Sequence, residues 1–156
     1  MPVHNLTCPV IQLAGMQHIT GIKQLSDQHK RELGFVNRAI FEKAITAEEL
    51  LVATSPENDV GLEVFGFVHF YVRRDAIVTL YSIVVNQTYR DSGLGRRLFE
   101  ALVHVARERG KTQIRLKCPA ELPANLFYER LGLEIVEIEP GKQRPLNIWL
   151  YNIESL

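Results

Sequence analysis

The sequence predicts an α+β domain, or an α/β one, in which helices are layered on a mixed β-sheet. Strand-like segments form a block in the middle of the chain, and strands then alternate with helices toward its end. The chain has 156 residues, of which 46% are hydrophobic and 23% are charged. That length fits a single domain over residues 1–156, and the apolar content excludes a disordered chain.

Hydrophobic periodicity places two helices and four strands before residue 86. Ile19, Ile22 and Leu25 recur at helical spacing. The two longest strands are β-branched and aromatic, and the tight turn between them predicts antiparallel pairing. The predicted elements are strand 10–14, helix 16–33 stopped by Gly34, helix 37–45 with Asn37 as N-cap, and strands 49–54, 63–73 and 76–85.

After residue 86 the strands alternate with helices. A polar loop that carries glycines covers residues 86–95, and the helix that follows places Leu98 and Leu102 on one face. The remaining predictions are helix 96–109, strand 112–118, helix 124–131, strand 133–139 and strand 146–153.

Charge and cysteine content exclude several classes of protein. Lys plus Arg number 18 and Asp plus Glu number 18, so the chain lacks the positive excess that dominant nucleic-acid binding needs. Cys8 and Cys118 are far apart and too few for a cysteine zinc site, so we expect reduced thiols and no metal. The first residues have neither the basic region nor the apolar run of a signal peptide, so we expect none, and no apolar run reaches membrane-spanning length. We therefore expect a cytoplasmic protein that binds no membrane.

The loop before the helix at 96–109 has the composition of an anion site. Gly93 and Gly95 let the backbone approach a ligand, and the first turn of a helix leaves about four N–H groups without intrahelical partners. Arg90, Arg96 and Arg97 add positive charge at a helix end that is already positive, and a bound anion would remove that conflict. Taken alone, Gly-Leu-Gly also fits an ordinary connection with solvated arginines. It is neither a Walker A loop nor a dinucleotide fingerprint.

Two motifs together resemble a known family. Arg90-Asp-Ser-Gly-Leu-Gly95 resembles the Arg/Gln-x-x-Gly-x-Gly/Ala loop of the GNAT superfamily of acyl-CoA-dependent N-acetyltransferases. Ala124-Asn-Leu-Phe-Tyr-Glu-Arg-Leu-Gly132-Leu resembles the second hallmark of that family, a helix with Phe-Tyr followed by a glycine turn. One helix and one strand separate the two motifs, as in the family. The resemblance implies a three-layer α/β/α fold with a mixed, mostly antiparallel central sheet and a splayed pair of strands.

The resemblance also implies where acetyl-CoA binds. Backbone amides of the loop would hold its pyrophosphate, and main-chain groups of the fourth strand would pair with its pantetheine arm in a gap beside the fifth strand. The residues implied are Ile83, Val84 and Val85 on the strand, then Arg90, Asp91, Ser92, Gly93, Leu94, Gly95 and Arg96 in the loop.

In this family an amine attacks the thioester directly through a tetrahedral intermediate. Tyr128 matches the tyrosine that commonly protonates the departing thiolate, although a packed core tyrosine would also fit the helix. Asn125 lies three residues before it and shares its face, so it contacts coenzyme A or else serves as a polar residue at the helix N-terminus.

The general base has no assignment from the sequence. Residues 76–90 contain no Asp or Glu, although many relatives carry a carboxylate on this strand, where Ser82 stands here. Glu63, His69, Glu121 and water stay open, as does catalysis without a base. Cys118 is expected to be a small buried hydrophobe rather than a carrier of the acetyl group.

The acceptor is also left open. The resemblance implies an amine-bearing small molecule or peptide, bound against the first two helices and the third and fourth strands, and it allows a homodimer. The missing carboxylate keeps one alternative in view, a catalytically silent acyl-CoA-binding regulatory module on the same fold.

Overall fold

The fold is described from a computed structural model, which covers residues 8–56 and 63–153. Within those residues the chain forms seven strands and five α-helices. In chain order they are β1 Val10–Leu13, α1 Ile19–Gln28, α2 Lys30–Leu33, α3 Arg38–Thr46, β2 Leu50–Thr54, β3 Val64–Val72, β4 Ile77–Val85, α4 Leu94–Glu108, β5 Gln113–Pro119, α5 Ala124–Arg130, β6 Glu134–Glu139 and β7 Leu146–Asn152. Short 3₁₀ turns at Met16–His18 and Gln87–Tyr89 precede α1 and α4.

The strands form one sheet in the order β1-β2-β3-β4-β5-β7-β6. The pairs β1–β2, β2–β3, β5–β7 and β6–β7 are antiparallel, and β4–β5 is parallel. The parallel pair is hydrogen-bonded at Ile77, Val78 and Thr79, a short stretch of the nine residues in β4. The mixed, mostly antiparallel sheet and the short pairing of its middle strands confirm the predicted fold class.

Two compact units make up the chain. Among the described residues, one comprises residues 8–56, 63–69 and 82–101, and the other comprises residues 70–81 and 102–153. β3, β4 and α4 contribute residues to both. That residues 1–156 form a single domain stays a prediction.

The core of the first unit lies between its strands and α1 and α3. Ile22 and Leu25 of α1 are buried with Phe41 of α3, whose ring meets that of Phe67 edge-on at 5.7 Å between centroids. The predicted N-cap of α3 is confirmed, since Asn37 Oδ1 accepts the Ala39 N–H at 2.9 Å. All five residues of β2 are buried.

The prediction of one continuous helix over 16–33 is wrong, because the backbone leaves the helical conformation at His29, with φ −116° and ψ 28°. The His29 N–H bonds to the carbonyl of Ser26 at 3.0 Å, three residues back. In a continuous helix it would bond to the Leu25 carbonyl, which instead lies 2.9 Å from His29 Nδ1. The chain is therefore divided into α1 and α2 at this residue.

Gly66 marks a close approach inside the first unit. A Cβ atom at this position would lie 2.8 Å from the Val84 carbonyl oxygen and 2.9 Å from Leu98 Cδ1. The backbone of β3 can thus lie against both β4 and α4 only because residue 66 has no side chain.

In the second unit α5 packs on β7, where Asn125 is hydrogen-bonded to Asn147 and Trp149. Ile114, Leu116 and Cys118 alternate along β5 and are buried, as the sequence predicts. Ile148 and Trp149 of β7 are buried beside them. β6 lies at the edge of the sheet, and its first five residues are exposed.

Candidate active site

The loop from β4 to α4 is anchored by local hydrogen bonds and one ring contact. The Asn86 N–H donates to the Phe65 carbonyl at 2.7 Å, and Asn86 Oδ1 accepts the Thr88 N–H at 3.0 Å. The Tyr89 ring is buried against that of Phe65, with 4.3 Å between centroids. Ser92 Oγ donates to the Tyr89 carbonyl. The start of the loop is therefore fixed before the glycines begin.

The second half of the loop turns its backbone toward solvent. Asp91 and Gly93 have positive φ values of 62° and 85°, and an added Cβ at Gly93 would meet nothing within 4 Å. The first rung of α4 is the bond from the Arg97 N–H to the Gly93 carbonyl, at 3.1 Å. The N–H groups of residues 94–96 thus precede the helical ladder and point out of the helix end. This geometry suits an anion at that end.

The three arginines of the loop have different surroundings. Arg97 Nη2 donates to the Pro9 carbonyl at 2.9 Å, so this side chain stabilises the fold of the first unit. Arg90 Nη2 lies 3.0 Å from His29 Nε2, and both Arg90 and Arg96 are exposed. Arg90 and Arg96 are the cations of this loop that a ligand can reach.

The predicted pantetheine-binding residues form the end of β4. Val84 is buried in the core, whereas Ile83 and Val85 are half-buried. Pairing of their main-chain groups with a cofactor stays a prediction.

In the second unit, α5 buries Tyr128 among aromatic rings. The Tyr128 ring lies 5.5 Å from the Phe127 ring and 6.2 Å from the Trp149 ring, measured between centroids. Burial, together with the neighbouring Cys118, raises the pKa of the Tyr128 phenol above its ordinary value of 10.0. Tyr128 therefore keeps its proton throughout the physiological range, as a proton donor must.

Asn125, one turn before Tyr128, is bonded on both sides of its amide. Its Oδ1 accepts from Trp149 Nε1 at 2.8 Å and from Asn147 Nδ2 at 3.1 Å. Its Nδ2 donates to the carbonyls of Pro119 and Leu122, at 2.8 Å in each case. An amide accepts two bonds and donates two, so these partners fill its capacity. This favours a structural role, and the contact with coenzyme A stays a prediction.

We expect Asn125→Leu to lower the free energy of unfolding by about 2–4 kcal/mol. The substitution leaves the Trp149 N–H and the Asn147 amide without a hydrogen-bond acceptor, and each unpaired group costs about 1–3 kcal/mol. Urea unfolding checks the value. Asn152→Leu is the matched control, since its bond to Gln113 is exposed, and it should cost less than about 0.5 kcal/mol. Equal losses in the two variants would contradict the structural role.

The structure places the three candidate bases in different surroundings. Glu63 is exposed and raises the pKa of Tyr89, in addition to the effect of burial. Glu121 is exposed, and its own backbone N–H and the side chain of Arg144 hold the pKa of its carboxyl down. His69 is buried on β3, where its ring lies 6.0 Å from that of Phe41. The general base stays unassigned.

Burial lowers the pKa of His69 from 6.5 to about 4. In the unfolded chain the imidazole therefore binds a proton below pH 6.5, whereas in the folded chain it binds one only below about pH 4. With respect to His69, the free energy of unfolding should be highest above pH 6.5, and it should fall as the pH falls from 6.5 toward 4. Since one pKa unit corresponds to about 1.4 kcal/mol, the loss is about 3 kcal/mol.

Denaturant unfolding between pH 7 and pH 4 measures this loss. His69→Leu should show a smaller fall in stability than the wild type, by about 3 kcal/mol. His104→Leu is the control, because His104 is exposed on α4 beside Glu108. If His69→Leu kept the wild-type pH dependence, the imidazole would not be buried in its neutral form.

Cys118 is buried at the end of β5, where Sγ lies 3.6 Å from the Pro119 carbonyl. Burial raises the pKa of its thiol to about 11. A thiol is a poor nucleophile while it keeps its proton, which supports the expectation of a small buried hydrophobe.

Sequence reasoning missed three polar residues that organise these two regions. The sequence placed Asn147 and Trp149 in the predicted strand 146–153 without assigning them a role, yet both bond to Asn125. His29 was placed inside a helix, yet it breaks that helix and reaches Arg90. Buried Asn and Trp in one strand could have indicated a polar network, because such groups require partners.

Two absences apply to residues 8–56 and 63–153. Over these ranges no cluster of three or more His, Cys, Asp and Glu side chains could hold a metal ion. None of the helices described for them is both long and apolar enough to span a membrane.

Residues 23–133 match the model of the acetyltransferase (GNAT) family. A comparison with curated proteins finds no match. Several solved structures share the fold. Ard1 of Thermoplasma volcanium is 17% identical with a TM-score of 0.80, and the match covers 94% of this chain and 99% of that one.

Two further structures match over nearly the whole length. The ribosomal-protein-S18-alanine N-acetyltransferase of Escherichia coli is 21% identical with a TM-score of 0.74, and 96% of each chain is covered. The protein yncA of Salmonella typhimurium, solved with its cofactor acetyl-CoA, is 18% identical with a TM-score of 0.74 and the same coverage.

Proposed function

This chain belongs to the acetyltransferase (GNAT) family, and we propose that it moves an acetyl group from acetyl-CoA to a primary amine of a small molecule or a peptide. The observation that carries the proposal is the loop at 90–96. It combines two positive-φ residues, a helix end and two exposed arginines within the matched region.

The residues of this loop fit the diphosphate of acetyl-CoA. Backbone N–H groups at the start of α4 would donate to phosphate oxygens, and the open space beside Gly93 lets the ligand approach the main chain closely. Arg90 and Arg96 would add charge-assisted hydrogen bonds. A bound diphosphate also accounts for why two cations stand at the positive end of a helix.

Tyr128 would protonate the sulfur of coenzyme A as the thioester bond breaks. The proton leaves the phenol oxygen, and the electron pair of the broken carbon–sulfur bond takes it up. The phenol is protonated at neutral pH, and burial, which raises its pKa, makes it a weaker acid than an ordinary phenol. The incoming amine has to be neutral when it attacks, either because it binds in that form or because a base that is still unassigned accepts its proton.

One observation favours a second candidate. β4 carries no Asp or Glu between Ile77 and Val85, where many relatives have a carboxylate, so the chain could bind acyl-CoA without turning it over.

Two measurements separate the candidates. Titration calorimetry with coenzyme A tests binding, and release of free thiol from acetyl-CoA in the presence of an amine panel tests turnover. Amine-dependent release supports the transferase. Tight binding without release on any amine supports the silent module, and a wild-type chain that binds no coenzyme A contradicts both.

A further inference from the structure

The α1–α2 break and the loop at 90–96 are joined by one side-chain contact, although 61 residues separate the two positions in sequence. His29 Nε2 lies 3.0 Å from Arg90 Nη2, and His29 Nδ1 lies 2.9 Å from the Leu25 carbonyl oxygen. Both contacts lie within the first unit. The imidazole is half-buried and Arg90 is exposed.

The partners determine which ring nitrogen carries the proton. A carbonyl oxygen can only accept, so Nδ1 must be the donor toward Leu25. A guanidinium can only donate, so Nε2 must present its lone pair to Arg90. His29 is therefore a neutral imidazole protonated on Nδ1, and its second nitrogen is available to hold the arginine.

The break in the helix is what makes this arrangement available. The backbone N–H of His29 bonds to Ser26 rather than to Leu25, which leaves the Leu25 carbonyl for the imidazole. The bond to Leu25 then fixes the ring orientation and aims Nε2 at Arg90.

We propose that His29 is a positioning residue for cofactor binding, which holds the Arg90 guanidinium at the head of the loop before the diphosphate of acyl-CoA arrives. This inference rests on the proposed function. An exposed arginine otherwise samples many rotamers, and ordering one long side chain when the ligand binds lowers the affinity. The contact with His29 already orders the Arg90 side chain in part in the free protein, so less of this cost in affinity remains when the ligand binds.

A structural role for His29 as a cap of α1 is the competing explanation, and two variants distinguish it. His29→Asn places an amide N–H near the Nδ1 position, so it can keep the bond to Leu25 but cannot reach Arg90. His29→Gln extends an amide oxygen toward the Nε2 position and can accept from Arg90. If His29 acts through Arg90, Gln should rescue binding and Asn should not.

The test measures the Kd of coenzyme A and the steady-state constants for acetyl-CoA. His29→Asn should raise Kd and KM by roughly 3- to 10-fold with kcat unchanged, and His29→Gln should stay within about 2-fold of the wild type. The double variant His29→Asn/Arg90→Ala should bind no more weakly than Arg90→Ala alone. Equal effects of Asn and Gln, or additive effects in the double variant, would overturn the inference.

A second measurement needs no variant. Nitrogen-15 correlation spectra of the histidine rings at mildly alkaline pH should show His29 protonated on Nδ1, and protonation on Nε2 would overturn the inference.

The proposed function and the role of His29 are contradicted by different results. If the wild type binds no coenzyme A, the proposed function fails and this inference falls with it. Normal binding combined with additive variants removes this inference alone.

Discussion

Tyr128→Phe should lower kcat by about 10²- to 10⁴-fold, the range that a positioned proton donor contributes, while KM for acetyl-CoA changes little. The hydroxyl is the only group that the substitution removes. Phe keeps the ring in place against Phe127 and Trp149, so packing of α5 should be preserved. Steady-state kinetics and calorimetry with coenzyme A check both parts of the expectation.

The matched control is Tyr151→Phe, which removes a hydroxyl from the half-buried part of β7. It should leave kcat within about 2-fold, as expected for a hydroxyl that takes no part in proton transfer. If Tyr128→Phe kept full kcat, or lost activity only because coenzyme A no longer bound, Tyr128 would not be the proton donor.

Gly93→Asp should weaken coenzyme A binding on the order of 10- to 100-fold relative to Gly93→Asn, because it places a negative charge within a few ångströms of the bound diphosphate. The two side chains have the same shape, and both tolerate positive φ better than other residues with a Cβ. The protein has room for either one, since nothing lies within 4 Å of the added Cβ. Calorimetry with coenzyme A measures the ratio of the two dissociation constants.

Thermal unfolding provides the control for this pair. A carboxylate near the first turn of α4 interacts favourably with the helix dipole, so Gly93→Asp should be at least as stable as Gly93→Asn. Weaker binding by the more stable variant cannot come from misfolding. Equal dissociation constants would argue that the diphosphate does not lie at this loop.

Local patterns in the sequence predicted most of the fold. Alternation of apolar residues gave the strands, as for Ile114, Leu116 and Cys118 of β5, because only one face of that strand meets the core. The start of α4 was predicted two residues late. Gly95 was assigned to the polar loop, yet it lies in the first turn of the helix, although glycine is a poor helix former.

The site was predicted less completely than the fold. Tyr128 was found through the resemblance of its helix to a family motif, and Asn125 because it lies one helical turn before Tyr128, which is a local relation. The partners of Asn125 on β7 follow it by 22 and 24 residues and could not be read from any local pattern. The same holds for His29, whose contact with Arg90 joins residues 61 positions apart and exists only in the folded chain.

The missing side chain at Gly66 limits how this protein can be redesigned. A methyl group there would press on the carbonyl of Val84, on the strand expected to receive the pantetheine arm, and on Leu98 of α4. A mutant library that seeks new acceptor amines should therefore leave this position fixed, since we expect replacements to displace β4 or α4 and, with them, the proposed cofactor site.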